Sequence, residues 1–315
     1  MSAPKIVVVA GPTATGKTRL GILLANAIGG EIVSADSMQI YRGMDVGTAK
    51  ADETECAAAR HHMLDVADPG ESYSVSRYVE DASGCCDDIL SRGRVPIVVG
   101  GTGLYIDSLV SGRGFARRDG DEALRAELGE RYDAEGGETL LRELGSFDPE
   151  RAAKLHPSDK RRIVRAIEIY RLTGETISEH DAGTRALPPR YDAARIVLGF
   201  RDRAQLYARI DARVDEMVAR GLFGEVSALL SGGLGRDCTA MQAIGYKECA
   251  AALRGELERG EAIELIKRSS RRYAKRQQTW FSRWDDALRI LWDGEPDFND
   301  ALLLSTKFLA SRGLS

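Results

Sequence analysis

Short apolar runs alternate with helix-forming stretches over the first third of the chain. The runs at residues 5–10 (KIVVVA), 31–35 (EIVSA) and 95–99 (VPIVV) are short and bounded by glycine or polar residues, which predicts buried strands. Apolar residues recur at helical spacing from Leu20 to Ile28, and a further helix is predicted at about residues 76–91. Strands that alternate with helices are typical of a parallel sheet covered on both faces by helices.

A different pattern occupies the middle of the chain. Residues 115–190 are polar, rich in arginine and glutamate, and close with the segment ALPPR, which is typical of a linker. The strand pattern resumes at residues 195–200 (RIVLGF), followed by amphipathic stretches at 202–220 and 261–284 that predict long helices. A last apolar run, LRILW at residues 288–292, predicts one more strand. We therefore expect a mostly helical insertion within a strand-and-helix fold.

A glycine-rich segment joins the first predicted strand to the first predicted helix. GPTATGKT, from Gly11 to Thr18, matches the pattern G-x-x-x-x-G-K-[ST] in the strand-to-helix position that this pattern requires. In such a P-loop the backbone N–H groups and the positive end of the helix surround an anion, while Lys17 adds a mobile cation and Thr18 a hydroxyl for Mg²⁺. Kinases, nucleotide hydrolases and diphosphate-using transferases share this loop, so the pattern alone leaves the ligand open.

These patterns together predict the fold class and its domains. The chain has 315 residues, of which 43% are hydrophobic, and this is enough for one sizeable core and a smaller domain. We predict an α/β fold, with a P-loop-containing parallel sheet covered by helices and a mostly helical insertion domain. Residues 1–114 are assigned to the first part of the core, 115–190 to the insertion domain, and 191–315 to the second part of the core.

Asp36 directly follows the second predicted strand. In an open parallel sheet the carboxyl ends of the strands form the ligand-binding edge, so we expect Asp36 beside the P-loop. Its carboxylate could accept a proton or hydrogen bond from a nucleophile, or support a metal through water; a turn or helix-cap aspartate is the alternative.

The strand at 95–99 ends in Gly100, Gly101 and Thr102 rather than in an acidic residue that could hold Mg²⁺, which argues against a nucleotide hydrolase.

Charge and cysteine content restrict the class of protein further. The formal net charge of -4 argues against indiscriminate coating of nucleic acid, but it allows a local basic surface. The five cysteines form no CxxC pair, which favours a reducing compartment. The sequence offers no signal peptide and no apolar run of about 20 residues, so we expect a cytoplasmic protein without a membrane partner.

A basic run lies near the end of the chain. Residues 267–284 (KRSSRRYAKRQQTWFSRW) hold seven lysines and arginines, no acidic residue, and four interleaved aromatic residues. On a helix, basic side chains repeat along one face at i, i+4 spacing: Arg268, Arg272 and Arg276, with Arg271 and Lys275 beside them. Such a face can follow RNA phosphates, and Gln277 or Gln278 can address base edges. A solvated helix face with Phe281 and Trp284 in the core is the alternative.

Two adjacent histidines, His61 and His62, lack a third metal ligand nearby in the sequence. We interpret them as loop or packing residues. In the segment RRIVRAIEIYRLTG (161–174), apolar residues form a packing stripe while arginines can face outward.

Several segments, in one order from residue 6 to about 284, together resemble the tRNA dimethylallyltransferase family. They are GPTATGKT, DSMQIYRGMDVGTAK, HHMLDV, GGTGLY, RRIVRAIEIYRLTG, IGYKE and YAKRQQTWF. The chain contains no Cys/His spacing of the zinc-finger type that eukaryotic members carry, so it resembles the bacterial form. It departs from the family at Arg60, where proline is common.

The resemblance implies an activity. The family moves the dimethylallyl group from dimethylallyl diphosphate to N6 of the adenosine on the 3′ side of the anticodon (position 37) of tRNA, with Mg²⁺ as cofactor. It implies a cytoplasmic monomer that binds the anticodon stem-loop. From the residues alone, three alternatives stay open: a small-molecule or nucleotide kinase, an adenylate dimethylallyltransferase of the cytokinin type, and a non-enzymatic RNA-binding module.

The resemblance also assigns residues to roles. Asp36 corresponds to the base, and Thr102 to the threonine that assists it at the amine. Thr18 would bind Mg²⁺, with Asp36 supporting it through water. The diphosphate-binding residues would be Gly11, Thr13, Ala14, Thr15, Gly16, Lys17, Thr18, Arg203 and Arg209. The tRNA-binding residues would be Asp36, Ser37, Met38, Gln39, Thr102, Arg161, Arg162, Arg165, Gln242, Ala243, Ile244, Gly245, Tyr246, Lys247, Arg272, Lys275, Arg276, Gln277, Gln278, Thr279 and Trp280.

Overall fold

The computed structural model describes residues 3–112, 121–185 and 187–314. Six strands lie in these residues: β1 Lys5–Ala10, β2 Gly30–Ser34, β3 His61–His62, β4 Val95–Gly100, β5 Asp192–Phe200 and β6 Leu288–Trp292. They form one sheet in the order β3-β2-β4-β1-β5-β6, and every neighbouring pair is parallel.

The helices of the described residues, in chain order, are α1 Lys17–Ile28, α2 Glu53–Ala58, α3 Val75–Ser91, α4 Gly103–Ser111, α5 Glu122–Glu135, α6 Gly137–Phe147, α7 Pro149–Ala152, α8 Lys160–Thr173, α9 Ile177–Arg185, α10 Arg203–Ala219, α11 Leu222–Ser231, α12 Tyr246–Leu253, α13 Arg259–Phe281 and α14 Phe298–Ser311. A 3₁₀ turn spans Ala240–Gln242. None of these helices combines the length and the apolar composition that crossing a bilayer requires.

Strand β1 lies in the middle of the sheet and is buried on both faces. Ile6, Val8 and Ala10 belong to one apolar cluster, which includes residues of α3 and α4. Val7 and Val9 belong to a second cluster, which includes residues of α1 and α14. Because side chains alternate along a strand, a run of β-branched residues with no polar member fits only such a doubly covered position. The predicted α/β fold, with its parallel P-loop sheet covered by helices, is confirmed.

The strands predicted at residues 5–10, 95–99, 195–200 and 288–292 are confirmed, with small differences at their ends. The second strand begins one residue earlier than predicted, at Gly30. Several elements were not predicted, and the shortest of them is β3. His61 and His62, interpreted as loop or packing residues, form this two-residue edge strand beside Ile32 and Val33. Two residues are too few to show an alternating pattern.

The buried carboxylate of Glu31 organises the edge of the sheet near β3. It lies 2.8 Å from Nε2 of His62 and accepts hydrogen bonds from the guanidinium of Arg92. These contacts, Arg92 foremost, hold the pKa of Glu31 at about 2. Arg60, the residue that departs from the family pattern, lies 3.8 Å from the same carboxylate. Within the described residues no three His, Cys, Asp or Glu side chains form a metal-binding group.

The contacts between residues divide the chain into two compact units, Met1–Gly112 with Pro189–Ser315, and Arg113–Pro188. The second unit consists of α5 to α9 around a small apolar cluster that includes Leu128, Leu144 and Ile167. The three-segment assignment made from the sequence stays a prediction, and its boundary at residue 114 lies outside the described residues.

Buried Glu168 fixes two arginines within the second unit. It pairs with Arg125 at 2.9 Å and with Arg165 at 2.8 Å. Arg165 was predicted to bind tRNA, as were Arg161 and Arg162, which are exposed at the start of α8. Burial of Ile163, Val164 and Ile167 agrees with the predicted packing stripe.

The C-terminal helix α14 packs on the sheet as part of the first unit. Leu309 is fully buried in the cluster that contains Val7 and Val9, whereas Leu303 on the same helix is 51% exposed. We therefore expect Leu309→Ala to lower the free energy of unfolding by about 2–5 kcal/mol, because it leaves a cavity in the core.

The matched control is Leu303→Ala, which should change that free energy by no more than about 0.5 kcal/mol. Urea unfolding followed by circular dichroism measures both variants. Equal effects of the two changes would show that α14 does not belong to the core.

Candidate active site

The P-loop (Gly11–Thr18) connects β1 to α1 through backbone angles that most residues avoid. Ala14 and Gly16 have φ angles of 64° and 85° and alternate with ordinary residues, an arrangement that turns successive N–H groups toward one anion. At Gly11 a Cβ would lie 2.4 Å from the carbonyl oxygen of Leu198 in β5, so only glycine fits there. Since α1 begins at Lys17, its positive end adds to the same site.

Two aromatic residues near the C-terminus, Trp292 and Phe298, contact the P-loop and support it. The indole N–H of Trp292 donates a hydrogen bond of 3.0 Å to the carbonyl of Thr15. A Cβ at Gly16 would lie 2.5 Å from the ring of Phe298, which stands against the loop and carries the guanidinium of Arg19 on its face. The loop is therefore fixed by residues that the P-loop pattern does not contain.

A cavity of about 1000 Å³ opens beside the P-loop at the carboxyl ends of β2 and β4. It brings together most of the predicted diphosphate-binding residues: Thr13, Ala14, Gly16, Lys17, Thr18 and Arg209. It is also lined by many residues predicted to bind tRNA: Asp36, Ser37, Met38, Gln39, Gln242, Ala243, Ile244, Gly245, Tyr246, Lys247, Arg276 and Gln277. Both groups of residues thus face one space.

Lys17 is the cation at the P-loop end of the cavity. Its Nζ donates a hydrogen bond of 2.7 Å to the carbonyl of Pro12. Burial, together with repulsion from Arg213, lowers the pKa of Lys17 to about 7, although the charge of Asp36 acts in the opposite direction. Lys17 is therefore partly neutral at neutral pH, and a bound anion would restore its charge.

Asp36 lies on the wall of the same cavity. Its Oδ1 accepts a hydrogen bond of 2.9 Å from the N–H of Met38, which is a turn contact of the kind given above as the alternative. Among the described residues, Oδ2 has no hydrogen bond from the protein and stays available to a ligand. The turn contact thus orients the carboxylate and leaves one oxygen for chemistry.

Thr102 lies beside Asp36 because β2 and β4 approach each other closely at their carboxyl ends. A Cβ at Gly100 would lie 2.2 Å from the carbonyl oxygen of Ala35, and the N–H of Thr102 donates to that oxygen at 3.1 Å. The Thr102 hydroxyl oxygen accepts a hydrogen bond of 3.1 Å from the N–H of Ser37. Thr102 does not itself line the cavity, but it contacts the segment that does.

The arginines of α10 differ in their positions. Arg209 lines the cavity and pairs with Glu295 at 3.0 Å, while Arg203, predicted with it, is exposed and does not line the cavity. Arg213, which was not predicted, lines the cavity, and burial lowers its pKa. It follows Arg209 by four residues on the same helix face, and this spacing was the signal that could have identified it.

Residues Asp45–Gly47, after the Asp36 segment, are held by one carboxylate. Glu225 accepts hydrogen bonds from the N–H groups of Asp45, Val46 and Gly47, and from the hydroxyl of Tyr246 at 2.5 Å. Tyr246 was predicted to bind tRNA, but its side chain is buried and bonded within the protein. It therefore supports the cavity wall in this structure.

Helix α13 presents basic residues outward. Arg268, Arg272, Lys275 and Arg276 are exposed, and no partner among the described residues forms an ion pair with them. Arg271 and Lys267, by contrast, pair with Asp211 at 2.5 Å and with Asp215 at 2.8 Å, both from α10. The basic run contains no acidic residue, yet two of its charges are balanced by another helix.

The aromatic end of α13 packs against α4. The indole N–H groups of Trp280 and Trp284 donate to the two carboxylate oxygens of Asp107, at 2.8 and 3.0 Å. A Cβ at Gly103 would lie 2.3 Å from the Trp280 ring, so this contact leaves no room for a side chain there. Trp284 and Phe281 are buried, so this part of the alternative interpretation of the basic run applies to both residues.

The inward face of α13 contributes Gln277 to the site. Its Oε1 accepts a hydrogen bond from the N–H of Thr13, and its Nε2 donates to the carbonyl of Gly101, both at 3.0 Å. The side chain is 5% exposed. Its neighbours Gln278 and Thr279 do not line the cavity.

Comparison with protein-family models gives two matches. Residues 39–284 match the model described as IPP transferase, and residues 4–68 match the model described as isopentenyl transferase. The chain is also 44% identical to a tRNA dimethylallyltransferase of Thermoanaerobacter sp. (strain X514) over 312 residues, which is 98% of this chain and 99% of that protein.

The chain belongs to the tRNA dimethylallyltransferase family.

Solved structures of this family have the same fold. The full-length tRNA isopentenylpyrophosphate transferase of Bacillus halodurans is 40% identical, covers 98% of this chain and 96% of its own, and superposes with a TM-score of 0.72. A eukaryotic dimethylallyltransferase acting on tRNA is 29% identical, covers 98% of this chain and 80% of its own, and gives a TM-score of 0.80. As a member of the tRNA dimethylallyltransferase family, the protein is a transferase, and the family resemblance seen in the sequence is confirmed.

The pKa of Lys17 predicts how anion binding depends on pH. A bound diphosphate should raise this pKa above its free value of about 7, so binding requires proton uptake above pH 7. The affinity for inorganic diphosphate should then fall as pH rises from 7 to 9, by up to about tenfold per unit. Isothermal titration calorimetry in buffers of different ionisation enthalpy measures both the affinity and the proton uptake.

Lys17→Ala is the control, since its remaining pH dependence belongs to the ligand and to other groups. Parallel curves for the wild type and Lys17→Ala would contradict the assignment of this proton to Lys17.

Proposed function

We propose that the protein transfers the dimethylallyl group of dimethylallyl diphosphate to N6 of the adenosine at position 37 of tRNA, and releases diphosphate. Membership of the tRNA dimethylallyltransferase family supports the reaction class. The observation that carries the proposal is that one cavity contains the cationic Lys17 and Arg213 together with the carboxylate of Asp36. The transfer needs both: cations for the leaving group and an anion for the attacking amine.

At the cationic end, the P-loop would hold the diphosphate of the donor. The N–H groups of the loop, the start of α1, Lys17 and Arg213 would stabilise the negative charge that grows on the leaving oxygen as the C1–O bond breaks. Arg209 lies on the same wall and could release Glu295 to join them.

The cavity also fits the proposed Mg²⁺ cofactor. Thr18 and Asp36 line one space, and Mg²⁺ sites commonly combine one or two protein oxygens with substrate phosphates and water. Bound there, the ion would neutralise charge on the diphosphate.

At the acidic end, Asp36 would hold the exocyclic amine, and Thr102, whose hydroxyl contacts the adjacent Ser37, would assist it. Its lone pair is delocalised into the adenine ring, so the amine must be aligned with C1 and must lose a proton as the N6–C1 bond forms. The free Oδ2 of Asp36 can accept that proton, and alignment of the two reacting atoms supplies much of the rate. An adenosine in a single-stranded loop can be extruded into such a cavity at a cost of a few kcal/mol.

The outer face of α13 is proposed as part of the surface for the anticodon stem-loop. Arg268, Arg272, Lys275 and Arg276 are exposed without ion-pair partners in the described structure, so their charges are available to phosphates. Arg161 and Arg162, exposed on the second unit, are proposed to contact the same RNA.

We further propose that the protein works as a monomer in the cytoplasm. The five cysteines are all free thiols, as a reducing compartment would keep them.

One assay distinguishes the proposed function from its rivals. The protein is incubated with Mg²⁺ and labelled dimethylallyl diphosphate, and with either tRNA or AMP as acceptor. Label on the position-37 adenosine of tRNA supports the proposal, while label on AMP indicates the cytokinin-type reaction. Consumption of ATP with phosphorylation of an acceptor, and no prenyl transfer, would indicate a kinase.

Asp36→Asn should reduce the rate of prenyl transfer by about 10²–10⁴-fold, because the amide cannot take up the proton of the amine. The substitution keeps the turn contact to Met38, so binding of tRNA and of diphosphate should change little. Single-turnover kinetics with both substrates saturating isolates the chemical step. A variant that transfers the prenyl group at nearly the normal rate would make Asp36 a structural residue.

Neutralising Arg272 and Lys275 to glutamine should weaken tRNA binding and flatten its salt dependence. Each lost phosphate contact should reduce the slope of log K against log salt by roughly 0.7–0.9. Filter binding at a series of salt concentrations measures the slope. The control is a double substitution of Arg94 and Lys307, which are exposed and lie outside α13. If both double variants give the same slope, α13 is only a solvated face.

A further inference from the structure

Gln277 joins the two ends of the cavity through a single side chain. Its Oε1 accepts the N–H of Thr13 in the P-loop, and its Nε2 donates to the carbonyl of Gly101, which directly precedes Thr102. The contact is close, because a Cβ at Gly101 would lie 2.2 Å from Nε2. Both polar atoms of the amide are thus used within the protein.

Each polar atom of Gln277 already has a protein partner, and the side chain is buried, so the amide is not presented to an RNA base edge. An amide buried with both groups hydrogen-bonded would have to give up both bonds to reach a base, at a cost of about 1–3 kcal/mol for each polar group left unpaired. The base contact expected from the sequence therefore requires a rearrangement that the observed contacts oppose.

Tyr273 lines the cavity one helical turn before Gln277. It precedes Gln277 by four residues, so both side chains lie on one face of α13. Burial raises the pKa of Tyr273 to about 12. The inward face of α13 therefore contacts the P-loop and Gly101 through Gln277, and borders the cavity through Tyr273.

We propose that Gln277 is a positioning residue, which sets the separation between the P-loop and Thr102 and thereby aligns the prenyl donor with the adenine amine. This inference rests on the proposed function. A displacement of about 1 Å between reacting groups can lower the rate by about 10²-fold. One bridging amide can therefore affect the transfer rate strongly without contacting either substrate. The exposed side of the same helix carries the basic residues proposed for tRNA.

The first test replaces Gln277 with methionine, which has a similar length and no amide. Single-turnover transfer should fall by about 10–100-fold and inorganic diphosphate should bind more weakly, while the Kd for tRNA stays within about twofold. Tyr191→Phe is the control for stability, because it removes the buried hydroxyl bonded to Asp87 near the amino end of β5, away from the cavity. Its transfer rate should equal that of the wild type.

The second test uses Gln277→Glu, and it is valid even if the Gln277→Met variant does not fold. An ionised carboxylate can accept the N–H of Thr13 but cannot donate to the carbonyl of Gly101, whereas a protonated carboxyl can do both. The transfer rate of Gln277→Glu, divided by the wild-type rate at each pH, should therefore rise as pH falls from 8.5 to about 5.5. A purely structural defect would give a ratio independent of pH.

Three results would overturn the proposal: a flat ratio for Gln277→Glu, a normal rate for Gln277→Met, or loss of tRNA affinity with unchanged diphosphate binding. The last would indicate a base contact. Failure of the proposed function is distinguishable, because then the wild type itself would not label tRNA. The binding of inorganic diphosphate would still report on the link between Gln277 and Thr13.

Discussion

The close approach of β2 and β4 at their carboxyl ends determines the geometry of the amine end of the site. Gly100 lies so near the carbonyl of Ala35 that no side chain fits between them. The chain can therefore turn from β4 into α4 directly beside the segment that follows β2. Asp36 and Thr102 become neighbours for this reason, although 65 residues separate Thr102 from its hydrogen-bond partner Ser37. Gln277 then reaches Gly101 at the same turn.

Electrostatics divides the first unit into an inner and an outer set of cations. Lys17 and Arg213 face the cavity, where burial lowers their pKa values and their mutual repulsion is offset only partly by Asp36. Two full positive charges are unfavourable in a cavity of this composition, and an anionic ligand would offset their repulsion. On α13 the exposed cations lie in water, where repulsion is screened and costs little.

The sequence predicted the parts of the fold that depend on local pattern. The five apolar residues at 6–10 and the P-loop after them have a local sequence pattern typical of a buried strand and a phosphate-binding loop, and both were predicted correctly. Contacts between distant segments carried no such signal. The pairing of Arg271 with Asp211 depends on how α10 and α13 pack. The sequence of the basic run, which contains no acidic residue, therefore did not show that this charge is balanced by another helix.

Gln277 shows the same limit within the site. The two residues before it, Lys275 and Arg276, are basic and exposed, which suggested an outward side chain, but a helix of 23 residues presents both an outer and an inner face. Only the packed structure tells which residues belong to each. Arg213, in contrast, could have been identified from the sequence, because its spacing from Arg209 places both residues on one helix face.

The hydrogen bond from Trp292 to Thr15 spans 277 residues of sequence. During translation the P-loop leaves the ribosome long before its supporting tryptophan and Phe298 are synthesised. At a translation rate of about 5–20 residues per second, the nascent chain spends on the order of tens of seconds without the contacts of these two residues with the P-loop. A chain without its last 25 or so residues would carry the complete P-loop sequence but not the contacts of Trp292 and Phe298 that hold it.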